Sequence, residues 1–220
     1  TWPRKQVRVR PLPWTTPVAL RMVEQEIAHL LTLPGRLLEE LEAVMTDKKK
    51  YSPQVSQLRN YARYLDAQVR DAALELSARE ISPADKAYLA GLVRISRHAQ
   101  VLADQTAELV EIVHQVQEKG ITLSKASGDA IQYSLIPCSM NLKTLAISFP
   151  AITEEVSESM RKQDDILRQI FTLQYHEYLD RFASGTTPSG SEFSRILFQI
   201  EEMASAIREI RKSTLLLQKP

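Results

Sequence analysis

Ser82-Pro83-Ala84-Asp85-Lys86-Ala87-Tyr88-Leu89-Ala90-Gly91-Leu92 opens the stretch whose reading decides the fold. Ser82 can cap a helix by accepting a hydrogen bond from a first-turn N–H. Pro83 suits the first helical position, where its missing N–H costs nothing, and Asp85 sits in the positively polarised first turn. From there Leu92, Ile95, Ala99, Leu102, Leu109, Val113 and Val116 recur at steps of three, four and seven, which places them on one face of a long helix. Gly120 then supplies a C-terminal stop. A helix with an apolar stripe must bury that stripe against other elements, so the question becomes what its neighbours are.

The neighbours read as helices too. Thr16-Pro17 supplies a cap and a first-turn proline, followed by Leu20, Val23, Ile27 and Leu30. Pro34-Gly35 is expected to kink or interrupt this helix, with Leu37, Leu41 and Val44 carrying the stripe on to a solvated loop at Lys48, Lys49 and Lys50. Ser52-Pro53 opens a second helix whose face holds Leu58, Tyr61, Leu65, Val69 and Leu76. Beyond Gly120, Ser124 to Glu158 reads as one helix kinked by Pro137 and Pro150, with Ile131, Leu135, Leu142, Leu145 and Ile147 as its apolar positions. A fifth helix runs through Leu167, Ile170, Leu173 and Tyr178 to a turn cluster at Ser184 to Gly190. The sixth carries Ile196, Ile200, Met203, Ile207 and Ile210, a seam stepping by four, three, four and three.

The expected fold class is therefore all-α, a six-helix antiparallel bundle. Its layout suggests duplication: a three-helix repeat over 17–120 and a degenerate second repeat over 121–220. In each, the third helix follows a Ser/Thr-Pro signal, and Leu92, Ile95, Ala99 and Leu102 align with Leu197, Ile200, Ala204 and Ile207. Thr1 to Thr16, with Arg4, Lys5, Arg8, Arg10 and three prolines but no acid, reads as a basic linker. It suits a solvated tail or a segment leaving the cytoplasmic face of a membrane.

Composition narrows the function classes. With 28 basic against 27 acidic residues there is no overall field to attract nucleic acid. An apolar share of 44% and only six glycines in 220 residues fit a helical globular chain with room for a substantial core. No run reaches the about 18 apolar residues of a membrane span. The lone Cys138 excludes an intrachain disulfide and fits a reducing compartment; inside Leu135-Ile136-Pro137-Cys138-Ser139-Met140 it reads as a packing residue.

Catalytic chemistry finds little foothold. His29, His98, His114 and His176 lack HExxH or Cys/His ligand spacing. Glu154-Glu155, Asp164-Asp165 and Glu201-Glu202 are adjacent pairs, which a helix splays by about 100°, and they read as solvated faces rather than shared-proton or cation sites. There is no glycine-rich phosphate loop, nucleophile elbow or dinucleotide fingerprint. No catalytic, cofactor-binding or metal-ligating residue is assigned.

Gly91-Leu92-Val93-Arg94-Ile95-Ser96-Arg97-His98-Ala99-Gln100-Val101-Leu102-Ala103 resembles the PhoU family segment written LERIGDHAVNIAE, with Arg94, Ile95, His98, Ala99 and Ala103 in matching places. Tyr64 to Val69, Ser82 to Asp85 and the entry Thr16-Pro17-Val18-Ala19-Leu20 look like the PhoU-like tails of sodium/phosphate cotransporters. The resemblance covers Pro17 to about Gln117 and reaches the second half through the repeat. It implies a non-catalytic cytoplasmic regulatory domain at the inner face of the cell membrane, partnered by a transporter membrane domain or a signalling protein, with long faces free to dimerise. PhoU proteins can hold metal clusters through E-x-x-x-D on the third helix; here Val93 and Arg97 take those places, and Phe198 and Glu202 their second-half counterparts. No metal cluster is expected.

Three other readings stay open at this level. One is a free-standing PhoU-like adaptor acting on a phosphate transporter or its kinase. Another is a helical enzyme whose residues converge only in space. The last is membrane-surface binding through the basic tail.

Overall fold

Among the described residues six helices form: α1 (Thr16–Thr46), α2 (Gln54–Ser77), α3 (Pro83–Glu118), α4 (Lys125–Ser148), α5 (Glu154–Ala183) and α6 (Gly190–Leu216). The structure, a computed structural model, describes residues 12–13, 15–46, 51–184 and 190–217, and no strand occurs among them. The expected lysine loop, the Thr187-Pro188 helix start and nearly all of the basic segment lie outside the described residues, so those expectations are not addressed by it.

The start of α3 forms as its residues dictate. Ser82 is extended (φ −62°, ψ 153°), its hydroxyl accepts from the Asp85 N–H at 3.0 Å, and it donates back to the Asp85 carboxylate at 2.7 Å. At the other end Gly120 takes φ +67°, which lets its own N–H reach the Gln117 carbonyl at 3.0 Å and the Ile121 N–H reach Val116 at 3.1 Å. Gly120→Ala puts a side chain on that left-handed backbone and is expected to cost about 1 kcal/mol. Thermal unfolding checks it: a fall in Tm of about 3 °C is expected for a chain of this size.

Leu92, Ile95, Ala99 and Leu102 are fully buried, because α3 is wrapped by α1 and α2 on one side and by α6 on the other. The α6 seam behaves as its spacing requires, with Ile196, Ile200, Met203, Ile207 and Ile210 all at 1% exposure or less. Within the described residues α2 packs only on α1 and α3, and α5 only on α4 and α6. The two triads meet along α3–α6 and α1–α4, so one continuous apolar core runs through all six helices.

Prolines account for the departures from the expected layout. Pro34 does not interrupt α1, which runs unbroken with Leu33, Pro34 and Leu37 buried. Proline removes the bond that would reach back to residue 30. Two residues earlier, Thr32 donates its hydroxyl to the His29 carbonyl at 2.7 Å, and burial of the surrounding leucines offsets what is lost. Pro137 is likewise accommodated inside α4, where Ser134 donates to the Ala130 carbonyl at 2.8 Å.

Pro150, by contrast, ends a helix instead of kinking one. The expected single helix over Ser124 to Glu158 is two: α4 stops at Ser148, and α5 begins at Glu154. Phe149, the residue before proline, is extended at φ −61° and ψ 137°, as the proline ring demands, and the Phe149–Pro150 bond is cis. Thr153 then accepts from the Val156 N–H at 3.2 Å, with Glu154 and Glu155 in the first turn, so the new helix starts on its own signals. The α5 stripe also departs from expectation: Leu173 is 57% exposed, while Met160, Leu167 and Phe171 face the core.

Leu12, placed in the expected linker, is 3% exposed. Arg79, just past the end of α2, donates to the carbonyls of Pro13 at 2.6 Å and Leu12 at 3.3 Å and is itself held by Glu75 at 2.8 Å. The end of the entry segment is thus part of the bundle.

Candidate functional site

The outer face of α3 gathers the charged chemistry of the first half. Arg59 on α2 donates its Nε to Asp104 Oδ1 at 3.1 Å and its Nη1 to Glu111 at 3.2 Å, and Arg63 Nε reaches the same Asp104 oxygen at 3.0 Å. Residues 97, 100, 104 and 111 share this side of α3 because they recur at three, four and seven. Arg97 donates to Gln100, whose amide donates to the other Asp104 oxygen. The result is a lattice of alternating charge, half-buried at Arg59 and Asp104 and open to solvent at Arg63 and Arg97.

On its other flank α3 meets α6. Gln199 donates to the Gln105 carbonyl at 2.9 Å, and Gln105 reaches Glu202 at 3.4 Å. Phe198 stands beside them, 55% exposed. The Glu201-Glu202 pair is half-buried instead of solvated: Tyr175 of α5 donates its hydroxyl to Glu201 at 2.9 Å while Glu202 faces Gln105.

This arrangement does not suit a cation cluster. At the positions compared with the E-x-x-x-D pattern stand Val93, a cationic Arg97, an exposed Phe198 and the single carboxylate of Glu202. Asp104 is already occupied by two guanidinium groups, which neutralise the charge a metal would need. Among the described residues no three His, Cys, Asp or Glu side chains gather where an ion could sit.

In the second half the expected solvated Asp164-Asp165 pair splits in two. Asp165 is exposed, but Asp164 is 4% exposed and joins three helices. Asn141 of α4 donates to Asp164 and to the Met160 carbonyl, both at 3.2 Å, and Arg211 of α6 lies 3.4 Å from Asp164 while donating to the Ser157 carbonyl at 3.2 Å. Burial pushes the Asp164 carboxyl above its usual range despite the opposing pull of Arg211, and burial also lowers Arg211. Each ion is therefore desolvated more than its partner compensates.

The histidines do not converge. His29 stands edge-on to Tyr61, His114 stacks on Tyr51 at 4.4 Å with Nε2 3.3 Å from Glu118, His98 is half-buried and His176 is exposed. Cys138 is fully buried, and burial pushes its thiol up to about 12, so it packs as a small apolar group. A groove of about 500 Å³ lies between α1 and α4, lined by Leu38, Met45, Leu135, Ile136 and Met140, with Glu42 and Lys143 as the charged side chains of its lining.

What sequence reading missed here is the Arg59–Asp104–Glu111 lattice, the Asp164–Arg211 pair and Arg79. Basic residues at 59 and 63 on α2 were a usable signal for the first, since they share a face one turn apart. Nothing in local spacing signals Asp164 and Arg211, which sit on different helices far apart in the chain.

Six helices in two triads joined through α3 and α6, with a charged outer face and no convergent catalytic groups among the described residues, make an all-α bundle. No family model and no curated protein matches the sequence. Among solved structures it is similar to the phosphate transport system regulatory protein PhoU from Streptococcus pneumoniae, with a TM-score of 0.69 over 93% of this chain and 97% of that one. Identity is 14%, so the likeness establishes the shared fold. No described helix is long and apolar enough to cross a membrane.

Proposed function

We propose that this chain is a non-catalytic regulatory domain for phosphate transport, built from repeats spanning 17–120 and 121–220, that works at the inner face of the cell membrane by docking a partner protein. The observation that carries the reading is the end-to-end match of fold to a protein described as a phosphate transport regulator. The membrane domain of a sodium-dependent phosphate cotransporter is the partner favoured by the resemblance of the entry segment and second helix to cotransporter tails. The alternative, a free-standing adaptor for a transporter or its kinase, is favoured by the 97% coverage of the similar chain, a regulatory protein in its own right.

Exposed side chains around α3 suit docking: Phe198 of α6 stands near the level of Gln105, and Arg97 and Arg63 are exposed on the α2 flank, with Arg97 about two turns of α3 away from Gln105. Aromatic and arginine side chains dominate binding energy at protein interfaces. Phosphate uptake into membrane vesicles carrying a cotransporter, measured with and without the added domain at two sodium concentrations, tests the cotransporter reading; unchanged uptake in both sinks it. The adaptor reading predicts instead capture of a sensor kinase or transporter subunit in the absence of sodium. Either way, Phe198→Asp with Arg97→Glu is expected to weaken partner binding at least about tenfold without changing the circular dichroism spectrum. Binding unaffected by both changes would move the docking face elsewhere.

A further inference from the structure

Tyr133, Ile136, Met140 and Ile147 form an apolar stripe on the outside of α4, at 61%, 54%, 48% and 84% exposure. Their steps of three, four and seven repeat the spacing of a packing seam, yet they point away from the buried side of the same helix, where Ser134, Cys138, Asn141 and Leu145 lie. The groove between α1 and α4 runs along this stripe, with Met45 and Met140 on its walls. Methionine walls adapt to whatever side chain enters.

The charges beside the stripe identify what covers it. Asp129 and Lys143 stand on the same side of α4 as the stripe, seven residues before and seven residues after Ile136, and neither has an ion-pair partner among the described residues. Seven residues are two turns, so the opposite charges lie about 10 Å either side of Ile136 along the axis. A second copy of α4 laid antiparallel on the first, with a two-fold axis through Ile136, brings Asp129 of each copy opposite Lys143 of the other. The same register sets Ile136 on Ile136, seats Met140 near Gln132 and Tyr133, and lays Lys125, not an acid, against the open end of the stripe at Ile147. A two-fold interface needs a self-complementary surface, and this helix face is one.

We propose that the chain forms a two-fold homodimer through antiparallel packing of α4 on α4, with Ile136 at the axis, Asp129–Lys143 pairs on either side and the α1–α4 groove receiving side chains of the second copy. The partner face on α3 and α6 is left free by it.

Sedimentation equilibrium on the full chain tests the assignment. The wild type is expected to dimerise. Ile136→Glu places two like charges at the axis and is expected to raise the dimer dissociation constant at least about a hundredfold. Lys143→Asp sets Asp129 against a second acid on both sides and is expected to weaken the dimer about tenfold. Adding Asp129→Lys to that variant restores opposite charges and is expected to return the constant to within about threefold of wild type. Only a second copy bound in this register gives that recovery. A wild type that stays monomeric at about 100 μM, a dimer indifferent to Ile136→Glu, or a charge swap that fails to recover each overturns the proposal. The first of these with binding of the stripe to lipid vesicles or to another protein would assign the face to that occupant. All three positions lie outside the core, and the charge-swap series stands even if Ile136→Glu fails to fold.

Discussion

Arg211→Met is expected to lower the unfolding free energy by about 3–5 kcal/mol, since it leaves the Asp164 carboxylate buried against Asn141 without the one cation in contact with it. The pair itself is not a strong net stabiliser. Burial shifts both ions toward their neutral forms, so desolvation outweighs their attraction. Replacing both, Asp164→Leu with Arg211→Met, is therefore expected to recover most of the loss, and urea unfolding of the three proteins is the measurement. A double variant as unstable as the single one would show that the hydrogen bonds to Asn141 and Ser157 matter more than the charges do. The pH dependence carries its own sign. An acid whose folded pKa is raised holds its proton more readily in the folded chain. Its contribution is complete below the ordinary value of 3.8 and is lost as pH rises through the folded value. The stability of the wild type relative to Asp164→Asn should accordingly improve as pH is lowered from neutrality.

Leu102→Ala is expected to cost about 3 kcal/mol, because Leu102 is fully buried on the helix that α1, α2 and α6 all pack against, and the space left cannot collapse from one side alone. The control is Leu173→Ala on α5. Leu173 was expected in a stripe but is 57% exposed, and its truncation should change stability by less than about 0.5 kcal/mol. Chemical denaturation separates the two, and equal losses would mean that α5 is packed differently.

These contrasts show which parts of the molecule its residues announce locally. The cap at Ser82, the stop at Gly120 and the seams of α3 and α6 were readable because one helix's own spacing and end chemistry determine them. Pro34, Pro137 and Pro150 look alike in a string of letters but act differently. Two lie in turns whose neighbours pack into the core and continue the helix, whereas Pro150 is followed within five residues by Thr153, Glu154 and Glu155, a complete start signal. That signal was there to be read. The Asp164–Arg211 pair was not, since a carboxylate beside another carboxylate looks solvated until the opposing helix is known. The candidate face was half-readable: Arg97 and Phe198 stood out as departures from a family pattern, while the Arg59 and Arg63 contacts to Asp104 needed the packing of α2 on α3.

The grip of Arg79 on the carbonyls of Leu12 and Pro13 changes where the bundle takes hold of whatever precedes it. Tension or torsion arriving along the chain meets the tail of α2 before it meets the first turn of α1. The hairpin of α2 and α3, whose outer side carries the arginine lattice, is therefore mechanically nearer to the incoming strand of chain than its place in the sequence suggests.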